Sequence, residues 1–480
     1  MKRKLLCLVL AMLTLLGTCI GCASGNQPGQ ETNDTPGSEG DAFDQALGAL
    51  SADWGGEDFT VLGRNDAGSS VTEILREEAS SDPLEDAVYR RNLALSERCN
   101  LNYRAVIEPS DQLPIVIGND IKSGSGEYDI AFPDMRNAGM MATKNMLVDF
   151  HEMPYIDMDA EWWDQGTAEM SISGRLFWMN SDINFMAHDV TFLTFFSKVM
   201  ADKQGIDDLY QTVYDQEWTL DVFSEYIKKV SSDLDGNGRF DESDAYGLIG
   251  TSSMGFNMFY ASDLVFVKCE NEEPYLAMTE TDLLKASDLL DKLLELFYNG
   301  NSTYLVALGK ETDALQMFIN NQGLFYMECC SYVNGLRNMS DDFGVLPLPK
   351  YDKKQETYTT YVHCISSTMV IVQSFKQFDE MSKIIETMAI LSGKSVIPTY
   401  YDLVLKRKSI RDEDSAGMLD IIFSNRTYDL ANYYERIGLM YTFQAAVDSK
   451  TSSFASSYNK QVRKATIELA KIADAYSDLE

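Results

Sequence analysis

Hydrophobic positions along this chain follow three successive patterns. Lys2, Arg3 and Lys4 precede an apolar run from Leu5 to Leu16, broken only by Thr14, and mostly small residues lead from there to Cys22. The stretch from Ala23 to Ala42 is polar, rich in Gly and Pro, and without an aromatic side chain. Beyond it, short apolar stretches alternate with longer amphipathic ones. Phe59–Leu62, Leu101–Ile107, Tyr128–Phe132 and Thr368–Val372 read as strands. Leu84, Ala87, Val88, Arg91 and Leu95 fall at helical spacing between Leu84 and Arg98. Leucine pairs at 283–284, 289–290 and 293–294 predict a helix over Asp282–Tyr298, and helices are also predicted over Asp379–Leu391 and Lys460–Tyr476. Alternation of the two periods predicts an α/β architecture. The chain past the polar stretch exceeds what one core covers, which predicts two lobes.

The opening pattern predicts a secretory signal over residues 1–21. Its apolar core is shorter than the roughly 20 residues a spanning helix needs. Ile20-Gly21-Cys22 resembles a bacterial lipobox, which makes Cys22 the expected lipidation site, with palmitate among its acyl groups. The other reading is a secreted chain cut near Ala23. Residues 22–57 are expected to form a flexible tether, because so polar a segment cannot bury enough apolar surface to order itself.

Charge narrows the partners. The formal net charge is -34, and losing Lys2, Arg3 and Lys4 with the signal takes it to about -37. Nucleic acid is excluded, since phosphate contacts require clustered Lys and Arg. Eight cysteines are present, of which Cys99, Cys269, Cys329, Cys330 and Cys364 lie beyond the tether without CxxC spacing, so no disulfide framework is expected. Catalytic signatures are missing: there is no G-x-S-x-G, and His151, His188 and His363, the only histidines, form no HExxH pair.

The sharpest chemical motif is Asp233–Asp244. Asp233, Asp235, Asn237, Asp241 and Asp244 stand at positions 1, 3, 5, 9 and 12, with Gly238 at 6 and Arg239 offering its carbonyl at 7. This is the oxygen-ligand pattern of an EF-hand loop, with Asp in place of the usual Glu at 12. A structural Ca2+ is expected, closed by Glu242 in preference to Asp244. The alternative is a metal-free acidic turn.

Several segments together resemble the carbohydrate-type extracellular solute-binding lipoproteins of ABC importers. They are Gly126–Ile130, Leu147–Phe150 with Met153–Asp157 and Glu161–Asp164, Gly174–Met179, Asp215–Asp221, Phe343–Lys350, and Val396–Asp402 with Arg411–Ser415, the last close to a Firmicutes-type subgroup. Their order along the chain carries the likeness. It implies a two-lobe periplasmic-binding-protein-like fold with hinge crossovers. Residues 58–180 and 325–361 would form the N-terminal lobe, and 185–322 and 368–480 the C-terminal lobe.

The same resemblance implies a substrate-binding lipoprotein without enzymatic activity. It would work as a monomer on the outer face of the membrane and deliver an oligosaccharide to permease subunits. Position relative to the implied crossovers nominates Trp178, Asn180, Tyr332, Tyr361, Glu328, Tyr260 and Asp134 as ligand contacts, because sugars need aromatic platforms and fixed polar groups. Trp162 and Trp163 are assigned to packing. A surface receptor or sensor, or an enzyme acting on the same sugars through paired carboxylates, are the rival readings.

Overall fold

The computed structural model of the chain describes residues 42–374, 377–405 and 413–479. The leader, Cys22, the tether up to residue 41, and Arg411 of the C-terminal motif lie outside the described residues. Among the described residues, no helix is long and apolar enough to cross a membrane.

The first lobe is built on β1 (Asp58–Arg64), flanked in parallel by β2 (Asn102–Glu108) and β3 (Ile130–Ala131). From Phe59 onward every β1 residue is buried, as expected of a parallel strand covered on both faces. Phe59 and Val61 join one apolar cluster and Leu62 the other, the period of two dividing the strand between the two faces. Helix α2 (Pro83–Cys99) starts where sequence chemistry demands: Pro83 is its first residue, and the Asp82 carboxylate accepts from the N–H groups of Leu84 and Glu85. Left-handed Asn100 ends it.

The second lobe carries five strands, ordered β10-β4-β9-β5-β8. They are β4 (Phe192–Ser197), β5 (Tyr246–Thr251), β8 (Thr303–Val306), β9 (Gly323–Cys329) and β10 (Phe343–Leu346). Strand β5 runs parallel to both β8 and β9, and β4 is antiparallel to β9. A hairpin of β6 (Val267–Glu270) and β7 (Glu273–Leu276) and a parallel pair of β11 (Thr360–Tyr361) with β13 (Arg426–Thr427) complete it. The leucine-rich segment forms the helix Glu280–Tyr298, with a Thr279/Asp282 capping box. It buries Leu289, Leu290 and Leu293 but leaves Leu284 facing solvent.

Lobe membership corrects the expected boundaries. Strands β9 and β10, within 325–361, pair with β4 and β5 and so belong to the second lobe. Strand β12 (Val370–Ile371) pairs with β3, and the helix Phe378–Leu391 packs on α2, so this part of 368–480 belongs to the first. Both errors share a cause: apolar strands announce burial but not which edge they join. The stretch Gly174–Met179 forms no strand and makes only isolated bridges, Arg175 with Ile172 and Met179 with Met369.

The tether also ends earlier than 57. Residues Ala42–Ala49 form helix α1, and Phe43, Ala46, Leu47 and Leu50 lie against the first-lobe core. The Phe43 ring sits 5.5 Å from Trp162. Their spacing gives one apolar stripe, which offsets the polar composition around it.

Buried acids mark both lobes. Trp162 and Trp163 donate their indole N–H groups to the two oxygens of Glu386, at 2.8 and 2.9 Å, so both tryptophans pack as expected. Burial pushes Glu73, Asp129, Asp182, Glu328 and Glu386 up to about 7, and Asp429 to about 6. Each group therefore holds its proton more tightly folded than unfolded. Their contribution is complete below the unfolded carboxylate range and is lost as pH rises through 6–7. Calorimetry across pH should show the melting temperature falling steadily between pH 5 and pH 8.

Candidate functional site

The C-terminal ends of parallel strands are where open α/β sheets place ligand-contacting loops. In the first lobe, the ends of β1, β2 and β3 lead into Asp66–Thr72, Ser110–Asp111 and Asp134–Arg136. In the second lobe, β5, β8 and β9 lead into Ser252–Phe256, Ala307–Glu311 and Cys330–Tyr332. The two sets meet. Ser69 donates to Asp189, which also accepts from Tyr400 at 2.8 Å. Ser69, Thr72, Asp189, Asn334 and Tyr400 share the wall of one cavity of about 170 Å³. Arg136, in the loop after β3, forms an ion pair with Glu435 at 2.9 Å.

Four of the nominated ligand contacts lie in the interior instead. Trp178 is 1% exposed and stacked on Tyr433, with ring centroids 4.5 Å apart. Asn180 is equally buried and donates to the Tyr428 hydroxyl. Tyr361 lies between Tyr260, at 4.6 Å, and Phe192, at 6.0 Å, and its hydroxyl accepts from the Cys364 N–H. Tyr260 donates to Asp429. These aromatic stacks close on themselves and leave no ring face for a ligand. The physical reason is the second-lobe core, which reaches up to the crossing segments and takes in their side chains.

The other three lie at strand ends. Asp134 caps helix α4 (Met135–Ala142), accepting from the Asn137 N–H at 3.0 Å. Its second oxygen takes the Ser110 hydroxyl at 2.7 Å, tying two cleft loops together. Glu328 is 7% exposed; one oxygen accepts from the Cys329 N–H at 2.9 Å. Burial, reinforced by Glu311, raises its carboxyl to about 7. Tyr332 is half-buried, its ring edge-on to Tyr326 at 6.0 Å. His363 is pushed down to about 4 by burial and by Arg136 beside it, so it is neutral near pH 7.

Arg136, Glu435, Asp189 and the exposed Tyr441, which stacks on Phe256 at 6.2 Å, carried no sequence signal. Arg136 and Glu435 stand 299 residues apart and become neighbours only on folding.

In the acidic loop, one oxygen each of Asp233, Asp235 and Asp244 lie within 4.8 Å of one another. Asp244 belongs to this converging group, and Glu242, the expected closing ligand, does not. Asp244 is fully buried and accepts from the Leu234 and Asp241 N–H groups, and these bonds aim it inward. Asn237 accepts from the Arg239 N–H, and Asp241 from the Ser243 N–H. Gly236 and Gly238 take φ of 72° and 78°, as the sharp turn requires. An all-oxygen set of this kind suits a hard dication.

The sequence matches no family model and no curated protein. Solved structures do match. The sugar-binding protein MalE from Xanthomonas citri aligns over 88% of this chain and 99% of its own, with TM-score 0.59 and 11% identity. The galacto-N-biose-/lacto-N-biose I-binding protein of a Bifidobacterium longum ABC transporter, in complex with lacto-N-biose, aligns over 88% and 98%, with TM-score 0.56 and 14% identity. The maltose/maltodextrin-binding domain MalE from Bdellovibrio bacteriovorus, bound to maltotriose, aligns over 86% and 100%, with TM-score 0.53 and 12% identity. At these identities the likeness is one of fold: the chain has the periplasmic-binding-protein-like α/β fold.

Interior placement of Trp178 has a measurable consequence. Trp178→Ala should cost about 3–5 kcal/mol of stability through the cavity it leaves, read as a lowered urea midpoint with an unchanged slope.

Proposed function

We propose that this chain is the solute-capturing lipoprotein of an ABC importer, holding an oligosaccharide between its two lobes without altering it. The observation that carries this reading is one cavity walled by the loop after β1, by the turn after β9 and by the segment crossing between the lobes. Similarity of fold to sugar-binding proteins of ABC transporters supports it. Lobe closure about the crossing segments would enclose the ligand, and permease subunits would receive it. Cys22 would carry the acyl anchor on the outer face of the membrane, with the polar stretch behind it as the tether. Thermal-shift screening against neutral and charged oligosaccharides should raise the melting temperature for at least one of them. Small-angle scattering with that sugar should then show a smaller radius of gyration. A panel without a single stabilising saccharide would overturn the reading.

The acidic loop serves this body structurally. Asp233, Asp235 and Asp244 would hold Ca2+, with Asn237, Arg239 and Asp241 beside them. Tyr246 donates to the Asp241 carbonyl and Gln322 to the Glu242 carbonyl. The loop is thereby fastened to the starts of β5 and β9, at the opposite end of those strands from the cleft. Calcium at a hundredfold excess over its Kd should add about 2.7 kcal/mol by mass action. Calorimetry should show the melting temperature rising between chelator and millimolar calcium, and Asp244→Ala should remove the rise.

A further inference from the structure

One aromatic ring at the margin of the second-lobe core stays open. Tyr441 is 53% exposed. One of its faces is backed by Phe256, at 6.2 Å and 28° between the ring planes, and among the described residues no second ring covers the other. Phe256, at the end of the loop after β5, is buried edge-on against Tyr260 and Tyr361. Gln444 accepts from the Phe256 N–H and donates to the Ser252 carbonyl. These bonds tie the loop after β5 to the helix Thr442–Asp448, which Tyr441 immediately precedes, so the ring is held in place. Tyr441 and Glu435 line one cavity of about 350 Å³ with Gly438, Met440, Thr442 and Ala445. That volume lies within the ~300–1,000 Å³ of small-molecule sites. Arg136, from the loop after β3 of the first lobe, meets Glu435 at 2.9 Å, and both side chains are partly exposed. Both charges also act on the Tyr441 hydroxyl, which places the pair beside the ring.

A lone exposed tyrosine needs no explanation. This one combines a backed, open ring face with a matched ion pair and a cavity. A pyranose ring has an apolar face of C–H groups and a rim of hydroxyls. The phenol face matches the first. The ion pair matches the second, because its mutual bond uses only part of the guanidinium N–H groups and carboxylate lone pairs and leaves donors and acceptors for hydroxyls. The two charges cancel, so a cationic or anionic sugar would leave one of them unpaired on binding. Resting on the oligosaccharide reading above, we propose that Tyr441 is the platform on which a neutral sugar ring stacks, with Arg136 and Glu435 holding its hydroxyls.

Isothermal titration at neutral pH would compare neutral oligosaccharides of two to four units (malto-, cello- and N-acetylglucosamine series) with glucosamine and galacturonate oligomers of the same length. The tightest binder should be neutral, with a Kd at least about tenfold below that of either charged series. Tyr441→Ala should weaken that binder about tenfold, the size of one aromatic stack, and Tyr441→Trp should keep it. The ligand-free melting temperature should stay the same in both variants. Glu435→Gln, which leaves Arg136 unmatched, should raise affinity for the galacturonate series relative to the neutral one. Should Tyr441→Ala not fold, the wild-type ranking and Tyr441→Trp decide. A charged series binding tightest, an unchanged Kd in Tyr441→Ala, or a loss of affinity matched by a lowered ligand-free melting temperature would overturn this inference while leaving the oligosaccharide reading in place. Failure of every saccharide would sink both.

Discussion

Two stretches of chain crossing between lobes, zipped to each other, hold this architecture together. Met179 bridges Met369, and Thr191 bridges Val362. The segment that leaves the first sheet is thus paired, antiparallel, with the one that returns to it. Backbone groups buried between two lobes need partners, and the crossing segments supply them to each other. The parallel strands β1, β2 and β3 of one sheet and β5, β8 and β9 of the other send out loops at their C-termini. Pairing of the crossings sets these two families of loops face to face.

The crossings also explain where the aromatic side chains go. Trp178 lies one residue before the Met179 bridge, and Tyr361 one before Val362. Side chains here are gripped by C-terminal elements: Trp178 by Tyr433 and Tyr434, Phe177 by Tyr476 at 5.2 Å. Helix α4 approaches the same region so closely that a Cβ on Gly139 would meet the Tyr433 carbonyl at 2.5 Å, which demands glycine there. Crossing segments packed this tightly keep their own side chains in the interior.

Acidity runs through every level of the molecule, and burial gives it different meanings. On the surface, the excess of Asp and Glu is solvated. In the acidic loop, backbone N–H groups hold the Asp233 carboxyl below its ordinary range, those of Gly238 and Gly236 among them. Inside, burial outweighs hydrogen bonding at Glu386 despite two indole donors. At Glu328 too, burial outweighs the bonds from Cys329.

Local structure was largely legible in the chain. Asp82-Pro83 starts a helix, the leucine repeat ends up buried at Leu289, Leu290 and Leu293, and the Asp233–Asp244 spacing does bring Asp233, Asp235 and Asp244 together. These features depend on neighbours within a turn or two, so sequence alone determined them, as it did the alternation that makes the fold α/β. Tertiary structure alone decided that β9 and β10 join the second sheet and β12 the first. It also turned Trp178 and Tyr361 inward and paired Arg136 with Glu435. Periodicity records how deeply a side chain will be buried. It cannot record against what, because that partner lies hundreds of residues away and is chosen by the packing of whole lobes.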